Sequence, residues 1–368
     1  MQRTLDVDLG AHRYPIHIGA GLLARAGALI APTIGRGRVL VVADATVARH
    51  HAAALLASLG AAGLDAAVAT FPAGEAAKTV TTAEELWQAC ARERIDRAGT
   101  VIALGGGVSG DLAGFVAACW MRGVAFAQVP TSLLAMVDSS VGGKTGVNSA
   151  AGKNLVGAFK QPSCVVIDTA LIATMHEREY RSGLAEVVKY GVIADPELFA
   201  WTEAHAAALA GADPDAIAHV VHESCRIKAR YVAEDEFERG VRAHLNYGHT
   251  FGHALERETG YTRYLHGEAV AIGMRMAADL ARRLGVLADR DLIRRQDALL
   301  AALRLPAVHG APAPMDEARR LAAHCALDKK VQAGRTRFVL PTRLGRVEIV
   351  EAPDAEQVVA AFASAIAT

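Results

Sequence analysis

The chain has 368 residues with 39 basic and 39 acidic side chains, so its formal net charge is zero. A length of this order corresponds to about two domains, and the charge balance argues against a nucleic-acid binder or a protein held on an acidic membrane. The five cysteines are widely spaced without a CxxC pair, which predicts buried thiols in a reducing compartment. The sequence shows neither a secretory signal nor an uncharged apolar run of about 18–20 residues. We therefore expect a cytoplasmic protein that does not span a membrane.

Lysine is rare among the basic residues. Eight of the 39 are lysines, which leaves 31 arginines. A compact ammonium group and a planar guanidinium group are not interchangeable. The few lysines are therefore candidates for positions that require an ammonium group, and all eight stand in or beside the segments GEAAK, GGK, GKN, AFK, VVK, RIK and DKK.

The first half of the chain alternates short apolar strand patterns with helical patterns. The strand candidates are residues 38–44, 66–71, 100–107, 124–130 and 164–172. Such alternation is typical of a parallel, doubly wound sheet. After about residue 174 long helical patterns follow, at 184–210, 214–233, 250–259, 267–285, 290–303 and 315–327, with a hairpin around 343–345 before a final helix. The sequence predicts a Rossmann-like, dinucleotide-binding α/β domain at 1–174 and a mostly α-helical, metal-binding domain at 175–368.

A glycine-rich turn follows the predicted strand at 100–107. Residues 105–110 read GGGVSG and fit the pattern G-x-G-x-x-G between a strand and a helix. Such a turn lets the backbone approach a pyrophosphate group at a helix N-terminus. The acidic residue usual about 20 positions later is missing, and an acid at a strand end occurs upstream instead, at Asp44. The pattern predicts a dinucleotide site of a variant kind.

A pair of histidines occurs in the predicted helix at 250–259. The segment NYGHTFGHALE places His249 and His253 four positions apart, on one helical face. The segment is not the H-E-x-x-H motif of metalloproteases, because Thr250 occupies the position of the glutamate base.

Two further clusters extend this pattern. His266 begins the segment HGEAVAIGM, and Glu186 lies one helical turn before Lys189 in GLAEVVKYG. One carboxylate with two imidazoles leaves a coordination position open, as in catalytic zinc sites. Any one of the 14 histidines is more simply explained as a surface residue, but the three clusters together favour a metal site.

Residues 129–162 contain Lys144, Lys153 and Lys160 among many glycines and serines. The tetrapeptide GGKT is similar to the end of a phosphate-binding P-loop, but Ser139 stands where that motif needs a glycine. Backbone N–H groups together with ammonium groups form a cradle for phosphate. The alternative is a flexible linker, but the flanking apolar segments favour a binding loop.

With these motifs in view, the chain resembles the 3-dehydroquinate synthase family of sugar phosphate cyclases. The resemblance rests on the order of several blocks along nearly the whole chain: GEAAK, LGGGVSGDLAGFVAA, MRG, VPTSLLAMVDSSVGGKTGVN, GKNLVGAF, GLAEVVKYG, RAHLNYGHTFGHALE, HGEAVAIGM and DKK. It implies a carbon–oxygen lyase of the shikimate pathway, which makes aromatic amino acids, acting as a homodimer. The implied reaction converts 3-deoxy-D-arabino-heptulosonate 7-phosphate to 3-dehydroquinate and phosphate, with transient use of NAD and one divalent metal ion, zinc or cobalt.

The resemblance also implies a role for individual residues. The implied metal ligands are Glu186, His249 and His266. The implied NAD contacts are Asp44, Glu75, Lys78, Gly106, Gly107, Asp111, Thr131, Ser132, Lys144, Lys153 and Thr174. The implied substrate contacts are Arg122, Asp138, Lys144, Asn154, Lys189, Lys228, Arg242, Asn246, His253 and Lys330. Among these, the implied catalytic residues are Lys144, Asn154, Lys189, Arg242 and His253. Arg122 is expected to act from the partner subunit, and Lys330 is preferred to Lys329 for the phosphate contact.

Two other enzyme classes share part of this pattern. A metal-dependent polyol dehydrogenase has the same two-domain plan but releases NADH stoichiometrically. Another sugar phosphate cyclase of secondary metabolism would use the same cycle on a different sugar phosphate. A non-catalytic nucleotide-binding protein is a third alternative, and the complete set of metal ligands argues against it.

Overall fold

The computed structural model of the protein describes residues 2–312, 314–326, 336–351 and 353–367. The chain forms two compact units. The first consists of Met1–His176 together with Val221–Phe237, and the second of Glu177–Val220 together with Glu238–Thr368.

The first unit is an α/β unit built on one seven-stranded sheet. Its strands, with a separate hairpin at 144–159, are β1 Arg3–Asp8, β2 Arg13–Gly19, β3 Val39–Asp44, β4 Ala66–Phe71, β5 Thr100–Gly105, β6 Ala125–Pro130, β7 Lys144–Ser149, β8 Gly152–Phe159 and β9 Cys164–Asp168. Its helices are α1 Ala26–Ile30, α2 Ala45–Val47, α3 Ala53–Ala61, α4 Val80–Arg92 and α5 Gly107–Cys119, with a π-helical segment, Ala48–Ala52, joining α2 to α3. The strand order is β1-β2-β9-β6-β5-β3-β4, and only the β1–β2 pairing is antiparallel. The predicted parallel sheet is confirmed, with one antiparallel edge strand.

The sheet reverses its winding direction between β3 and β5. The chain passes from β3 to β4 on one side, then returns to place β5 on the other side of β3 and β6 beyond it. In open α/β sheets ligands bind outside the carboxyl ends of the strands at such a switch point. Here those ends are Asp44 and Gly105, so the topology selects the residues that the glycine-rich motif also indicates.

The segment at 144–159 is a hairpin, whereas the sequence predicted a binding loop there. β7 and β8 pair antiparallel, with Gly146 opposite Gly157. A side chain at Gly146 would come within 2.7 Å of the carbonyl oxygen of Val156, so the glycines permit close contact between the two strands. Sequence patterns read glycine as a sign of flexibility, which explains why the hairpin was missed.

The second unit is mostly helical, as the sequence predicted. Its helices are α6 Glu177–Ala194, α7 Pro196–Ala204, α8 Ala206–Ala210, α9 Pro214–Glu234, α10 His249–Glu258, α11 His266–Arg283, α12 Leu292–Ala302, α13 Pro314–Ala326 and α14 Ala355–Ala363, where α9 continues into the first unit from Val221 on. Its strands are β10 His309–Gly310, β11 Arg337–Arg343, β12 Arg346–Glu351 and β13 Ile366–Ala367. The antiparallel pair β11–β12 confirms the predicted hairpin. Across the described ranges, no helix is both long and apolar enough to cross a membrane.

Helices α10 and α11 approach each other closely through glycines. A side chain at Gly273 of α11 would overlap the carbonyl oxygen of Gly248 and lie 2.8 Å from the backbone nitrogen of Gly252. Gly248, just before α10, has a left-handed φ of 80°, which an L side chain rarely adopts. His249 and His266 begin these two helices, and their ring centroids lie 5.2 Å apart. The close approach of α10 and α11 therefore helps to bring the two imidazoles together.

Adding one methyl group at this contact should separate the helices. We expect Gly273→Ala to lower the free energy of unfolding by about 1–3 kcal/mol, the usual cost of overpacking, as measured by denaturant titration. The matched control is Gly60→Ala in α3, where a side chain would meet no atom within 4 Å. The control should leave stability unchanged or raise it by up to about 1 kcal/mol, since alanine is the better helix former. Equal stability of the two variants would contradict the assigned contact.

Candidate active site and metal centre

The second unit brings together one carboxylate and three imidazoles from three helices. Glu186 lies on α6, His249 and His253 on α10, and His266 on α11. Oε1 of Glu186 lies 3.8 Å from Nε2 of His249 and 3.8 Å from Nε2 of His266. The Glu186 side chain is fully buried. The structure thus places the three predicted metal ligands around one point.

The spacing of these atoms fits a bound metal ion. At 3.8 Å neither Nε2 atom is within hydrogen-bonding distance of Oε1, and among the described residues this buried oxygen has no hydrogen-bond partner. Ligand atoms of a tetrahedral ion bound at about 2.0–2.1 Å lie about 3.3–3.5 Å apart. The three side chains would therefore need to move inward only slightly to hold such an ion, with one coordination position left open.

Lys189 neutralises the other oxygen of the same carboxylate. It lies one turn after Glu186 on α6, and its Nζ forms an ion pair with Oε2 of Glu186 in which both side chains are about 1% exposed. A buried carboxylate without a partner is strongly unfavourable. Lys189 therefore stabilises Glu186 in place and leaves Oε1 directed at the imidazoles.

His249 is oriented by a backbone hydrogen bond. Its Nδ1 lies 3.1 Å from the carbonyl oxygen of Tyr247. Because a carbonyl oxygen can only accept, Nδ1 carries the proton, and Nε2 is left with the lone pair that a metal ligand needs. The ring of His253 lies 5.6 Å from that of His249, between centroids, and beside the ligand set.

Arg242 and Asn246 occupy one 3-10 helix, Val241–Asn246, just before α10. The Arg242 side chain is 2% exposed. Nδ2 of Asn246 donates a hydrogen bond of 2.6 Å to Oε1 of Glu238. The sequence predicted Asn246 as a site residue. Glu238 was not predicted, and this hydrogen bond is what connects it to Asn246.

The first unit places the glycine-rich turn at the switch point of its sheet. Gly106 precedes α5, whose N-terminal N–H groups are directed out of the carboxyl end of the sheet. Side chains at Gly106 and Gly107 would lie 3.2 Å from the hydroxyl oxygens of Ser132 and Ser139, a tight contact that would require these hydroxyl groups to shift. The backbone N–H of Thr131 bonds to the carbonyl oxygen of Gly105 at 3.0 Å. The glycine-rich turn and the residues that follow β6 therefore lie next to each other at the carboxyl end of the sheet.

Asp44 ends β3 beside this turn. Its carboxylate accepts hydrogen bonds from the backbone N–H groups of Thr46 and Val47, at 2.8 and 3.0 Å. These bonds fix the carboxylate at the start of α2. The predicted contact Thr174 lies elsewhere in this unit, where its hydroxyl group is 2.9 Å from Nε2 of His51.

A second polar cluster surrounds Lys78, which is 4% exposed. Its Nζ forms an ion pair with Asp111 and a hydrogen bond of 2.6 Å with Oδ1 of Asn154. Desolvation raises the pKa of the Asp111 carboxyl group above its ordinary value, and the ammonium group of Lys78 opposes this rise. The structure therefore joins three predicted site residues that are far apart in sequence.

Asn148 links this cluster to Glu75, and the sequence reasoning did not identify it. Its Oδ1 accepts the backbone N–H of Asn154 at 3.0 Å, and its Nδ2 donates to Oε1 of Glu75 at 2.8 Å. Since a backbone N–H can only donate, this contact also fixes which way the amide points. Asn154 has a left-handed φ of 54°, a strained conformation that the bonds from Asn148 and Lys78 stabilise. The only sequence signal was the motif TGVN.

Lys228 contacts Asp138 within the first unit. Nζ of Lys228 donates to the backbone oxygen of Asp138 at 2.8 Å and lies 2.9 Å from its Oδ1. Asp138 belongs to the π-helical turn Ala135–Ser139, and Sγ of Cys225 donates to the carbonyl oxygen of Met136 in the same turn. These contacts place the predicted substrate residues Asp138 and Lys228 together.

The other predicted residues have simpler positions. Lys144 is exposed at the start of β7, and Lys153 is partly exposed in β8. Arg122 is exposed directly after α5, within a turn in which Met121, Arg122 and Gly123 all have left-handed φ angles of 52°, 68° and 121°. Lys330, like Lys329, lies outside the described residues.

Comparisons with known proteins agree with this arrangement. The family model described as 3-dehydroquinate synthase N-terminal matches residues 68–182, and the one described as 3-dehydroquinate synthase C-terminal matches residues 183–331. The chain is 54% identical to the 3-dehydroquinate synthase of Rhodospirillum rubrum over 99% of this chain and 95% of that protein. It is 51% identical to that of Methylococcus capsulatus over 96% of both chains.

A solved structure shows the same fold. The 2-epi-5-epi-valiolone synthase of Streptomyces hygroscopicus subsp. jinggangensis 5008, solved with NAD+ and Zn2+ bound, superposes with a TM-score of 0.84 at 29% identity, covering 95% of this chain and 96% of that one. The α/β unit with its glycine-rich turn and the helical unit with its carboxylate–imidazole centre have the fold of a sugar phosphate cyclase. Within that class, the chain belongs to the 3-dehydroquinate synthase family.

The hydrogen bonds of Asn148 can be tested by amide hydrogen exchange. We expect Asn148→Ala to speed exchange of the Asn154 amide about 5- to 30-fold, the equivalent of losing a hydrogen bond of about 1–2 kcal/mol. Asn148→Asp is the matched control, because its carboxylate still accepts from Asn154 but cannot donate to Glu75. It should leave Asn154 protected. Unchanged exchange in Asn148→Ala would show that this side chain does not hold Asn154.

Proposed function

We propose that this chain catalyses the reaction of its family, the conversion of 3-deoxy-D-arabino-heptulosonate 7-phosphate to 3-dehydroquinate and phosphate. The observation that carries the proposal is the buried Oε1 of Glu186, faced at 3.8 Å by nitrogen atoms of His249 and His266. Two relatives that are 54% and 51% identical to this chain are named 3-dehydroquinate synthase, the enzyme of this reaction.

The residues present fit one divalent metal ion and one dinucleotide. Glu186, His249 and His266 would hold zinc or cobalt, since a carboxylate with two imidazoles is a donor set of catalytic zinc. The glycine-rich turn, with Asp44 and the N-terminus of α5, would hold NAD+ at the switch point of the sheet. When bound, the metal supplies Lewis acidity at a substrate hydroxyl group, and NAD+ supplies a temporary hydride acceptor, so no net oxidation results.

The side chains around the metal ligands would handle protons. His253 lies beside the ligand set, and its imidazole can accept or donate a proton near neutral pH. Lys189 would keep Glu186 in place, because its ammonium group is paired with the buried carboxylate. Oxidation next to a C–H bond makes that hydrogen acidic, so that phosphate can be eliminated. Re-reduction of the substrate, ring opening and intramolecular aldol closure would then complete the conversion to 3-dehydroquinate.

A set of basic and polar residues would hold the phosphate and the hydroxyl groups of the substrate. We assign this role to the basic residues Arg122, Lys144, Lys228, Arg242 and Lys330, together with Asp138, Asn154 and Asn246. The leaving phosphate group can itself take the proton from the neighbouring carbon. The protein then has to fix the geometry of the phosphate group rather than provide a separate base.

One assay tests the activity and distinguishes it from the alternatives. Incubation with the heptulosonate phosphate, NAD+ and zinc should release phosphate and 3-dehydroquinate in equal amounts, with no accumulation of NADH. Stoichiometric NADH would instead indicate a polyol dehydrogenase. Turnover of other sugar phosphates but not of this one would indicate another cyclase.

The metal centre can be tested by chelation and substitution. We expect a chelator to abolish turnover and zinc or cobalt to restore it. Glu186→Gln should lose more than about 100-fold activity at any zinc concentration, since several kcal/mol of transition-state stabilisation are at stake. Glu203→Gln is the matched control and should retain activity. In the wild type the carboxylate of Glu203 on α7 accepts a hydrogen bond of 3.0 Å from Arg295 on α12. Activity indifferent to chelation would refute the metal centre.

We also propose that the enzyme is a cytoplasmic homodimer in which Arg122 completes the site of the partner subunit. The support is the turn that carries it. Two consecutive non-glycine residues, Met121 and Arg122, adopt left-handed φ angles, each costing about 1–3 kcal/mol. Both side chains are exposed at this turn. Such strain at an exposed arginine supports a binding role outside its own fold.

Subunit mixing tests this assignment. Arg122→Ala and Glu186→Gln should each be nearly inactive alone. If Arg122 acts across a dimer interface, each mixed dimer contains one intact site, so an equal mixture should recover about a quarter of the normal activity after subunit exchange. The control is an equal mixture of the Glu186→Gln and Glu186→Ala proteins, which should recover no activity. No recovery in the first mixture, despite exchange, would place Arg122 in the site of its own subunit.

A further inference from the structure

Glu256 lies beside Nδ1 of His266, on the edge of the ring away from Glu186. Neither the motifs nor the resemblance gave it a role. It follows His253 by three residues on α10, and its side chain is 7% exposed. Its Oε1 lies 3.5 Å from Nδ1 of His266, while Nε2 of the same ring faces Glu186. The imidazole of His266 thus stands between two buried carboxylates.

The two imidazole ligands differ in what supports them. Nδ1 of His249 faces a neutral backbone carbonyl, that of Tyr247. Nδ1 of His266 faces a carboxylate. A carboxylate accepting from the far nitrogen of a metal-binding histidine fixes the ring orientation and the tautomer, and removing such a partner commonly weakens metal binding about 10- to 100-fold.

We propose that Glu256 is a positioning residue that holds His266 with its Nε2 directed at the metal. The proposal rests on the metal centre of the proposed function and goes beyond it. His266 needs this support because its side chain is 33% exposed, compared with 12% for His249. A more exposed ring has fewer packing contacts to fix its rotamer, so a buried carboxylate partner replaces them.

A second metal ion is the competing interpretation of the same atoms. Ligand atoms of His253, Glu256 and His266 all lie within 4.8 Å of one another, which is close enough to hold an ion. That ion would have to bind Nδ1 of His266 while the first ion binds Nε2. A ring that ligates through both nitrogens cannot also donate a proton to Glu256, so the two interpretations exclude each other and predict different metal contents.

The experiment compares two glutamates of the same helix. Glu256→Gln removes the charge behind His266 and keeps the shape of the side chain. Glu258→Gln is the matched control, because Glu258 also pairs with a histidine, His324, at 2.7 Å, and with Arg320, away from the ligand set. Zinc affinity is measured by competition with a chromogenic chelator, and the cobalt-loaded proteins are compared by their visible absorption spectra.

We expect Glu256→Gln to bind zinc about 10- to 100-fold more weakly than the wild type, with one ion per chain in both and an altered cobalt spectrum. Glu258→Gln should change zinc affinity by less than about 2-fold. Glu256→Asp, which keeps the charge on a shorter side chain, should show an intermediate loss and provides the same test if Glu256→Gln does not fold.

Three results would overturn the proposal. If Glu256→Gln binds zinc as tightly as the wild type, Glu256 has a merely structural role, even if the metal-free variant is less stable. An equal loss of affinity in Glu256→Gln and Glu258→Gln would show a general effect on α10. A fall from two bound ions to one in Glu256→Gln would identify a second metal site instead. If the wild type itself binds no zinc, the metal centre of the proposed function fails, which is a different result from all three.

Discussion

The burial of one carboxylate sets the requirements for the helical unit. Glu186 is fully buried, and an uncompensated buried charge costs several kcal/mol. Lys189 compensates it on one side, and the other oxygen faces the imidazoles. This arrangement requires α6, α10 and α11 to meet within the length of a side chain, which is why glycines such as Gly273 stand at the helix contacts. The packing of these helices and the spacing of the proposed metal ligands therefore depend on the same distances between α6, α10 and α11.

The surface at the carboxyl ends of β3 and β5, where we propose that NAD+ binds, depends on the backbone instead. Its position follows from strand order, since the reversal between β3 and β5 opens the sheet at Asp44 and Gly105. Side chains then refine this surface through contacts such as those of Lys78 with Asp111 and Asn154. A site defined by topology tolerates changes of side chain more readily than a site defined by one buried charge. Substitutions around the metal centre should therefore be the more damaging.

Sequence patterns predicted the features that are local. The central strands and the hairpin of β11 and β12 carry short-range signals, mainly apolar runs. The proposed ligands His249 and His266 also stand in motifs of fixed spacing, at the starts of α10 and α11. Asn148 lies in the motif TGVN, but no spacing pattern points to a role for Asn148, Glu238 or Glu256, because each contacts a partner that the fold brings near. The 73 positions between Glu75 and Asn148 show the difficulty. β7 and β8 were missed for another reason: their glycines allow close strand pairing but look like a flexible loop.

The scarcity of lysine acquires a physical meaning from these contacts. Lys78, Lys189 and Lys228 are 4%, 1% and 6% exposed, and each faces a carboxylate, those of Asp111, Glu186 and Asp138. Among the residues that the structure describes, Arg242 is the only buried arginine. A compact ammonium group fits a narrow buried pair where the planar guanidinium group does not. Of the six lysines that the structure describes, these three form enclosed ion pairs, while Lys144, Lys153 and Lys160 are exposed or partly exposed. The composition therefore reflects the chemistry of the site in part.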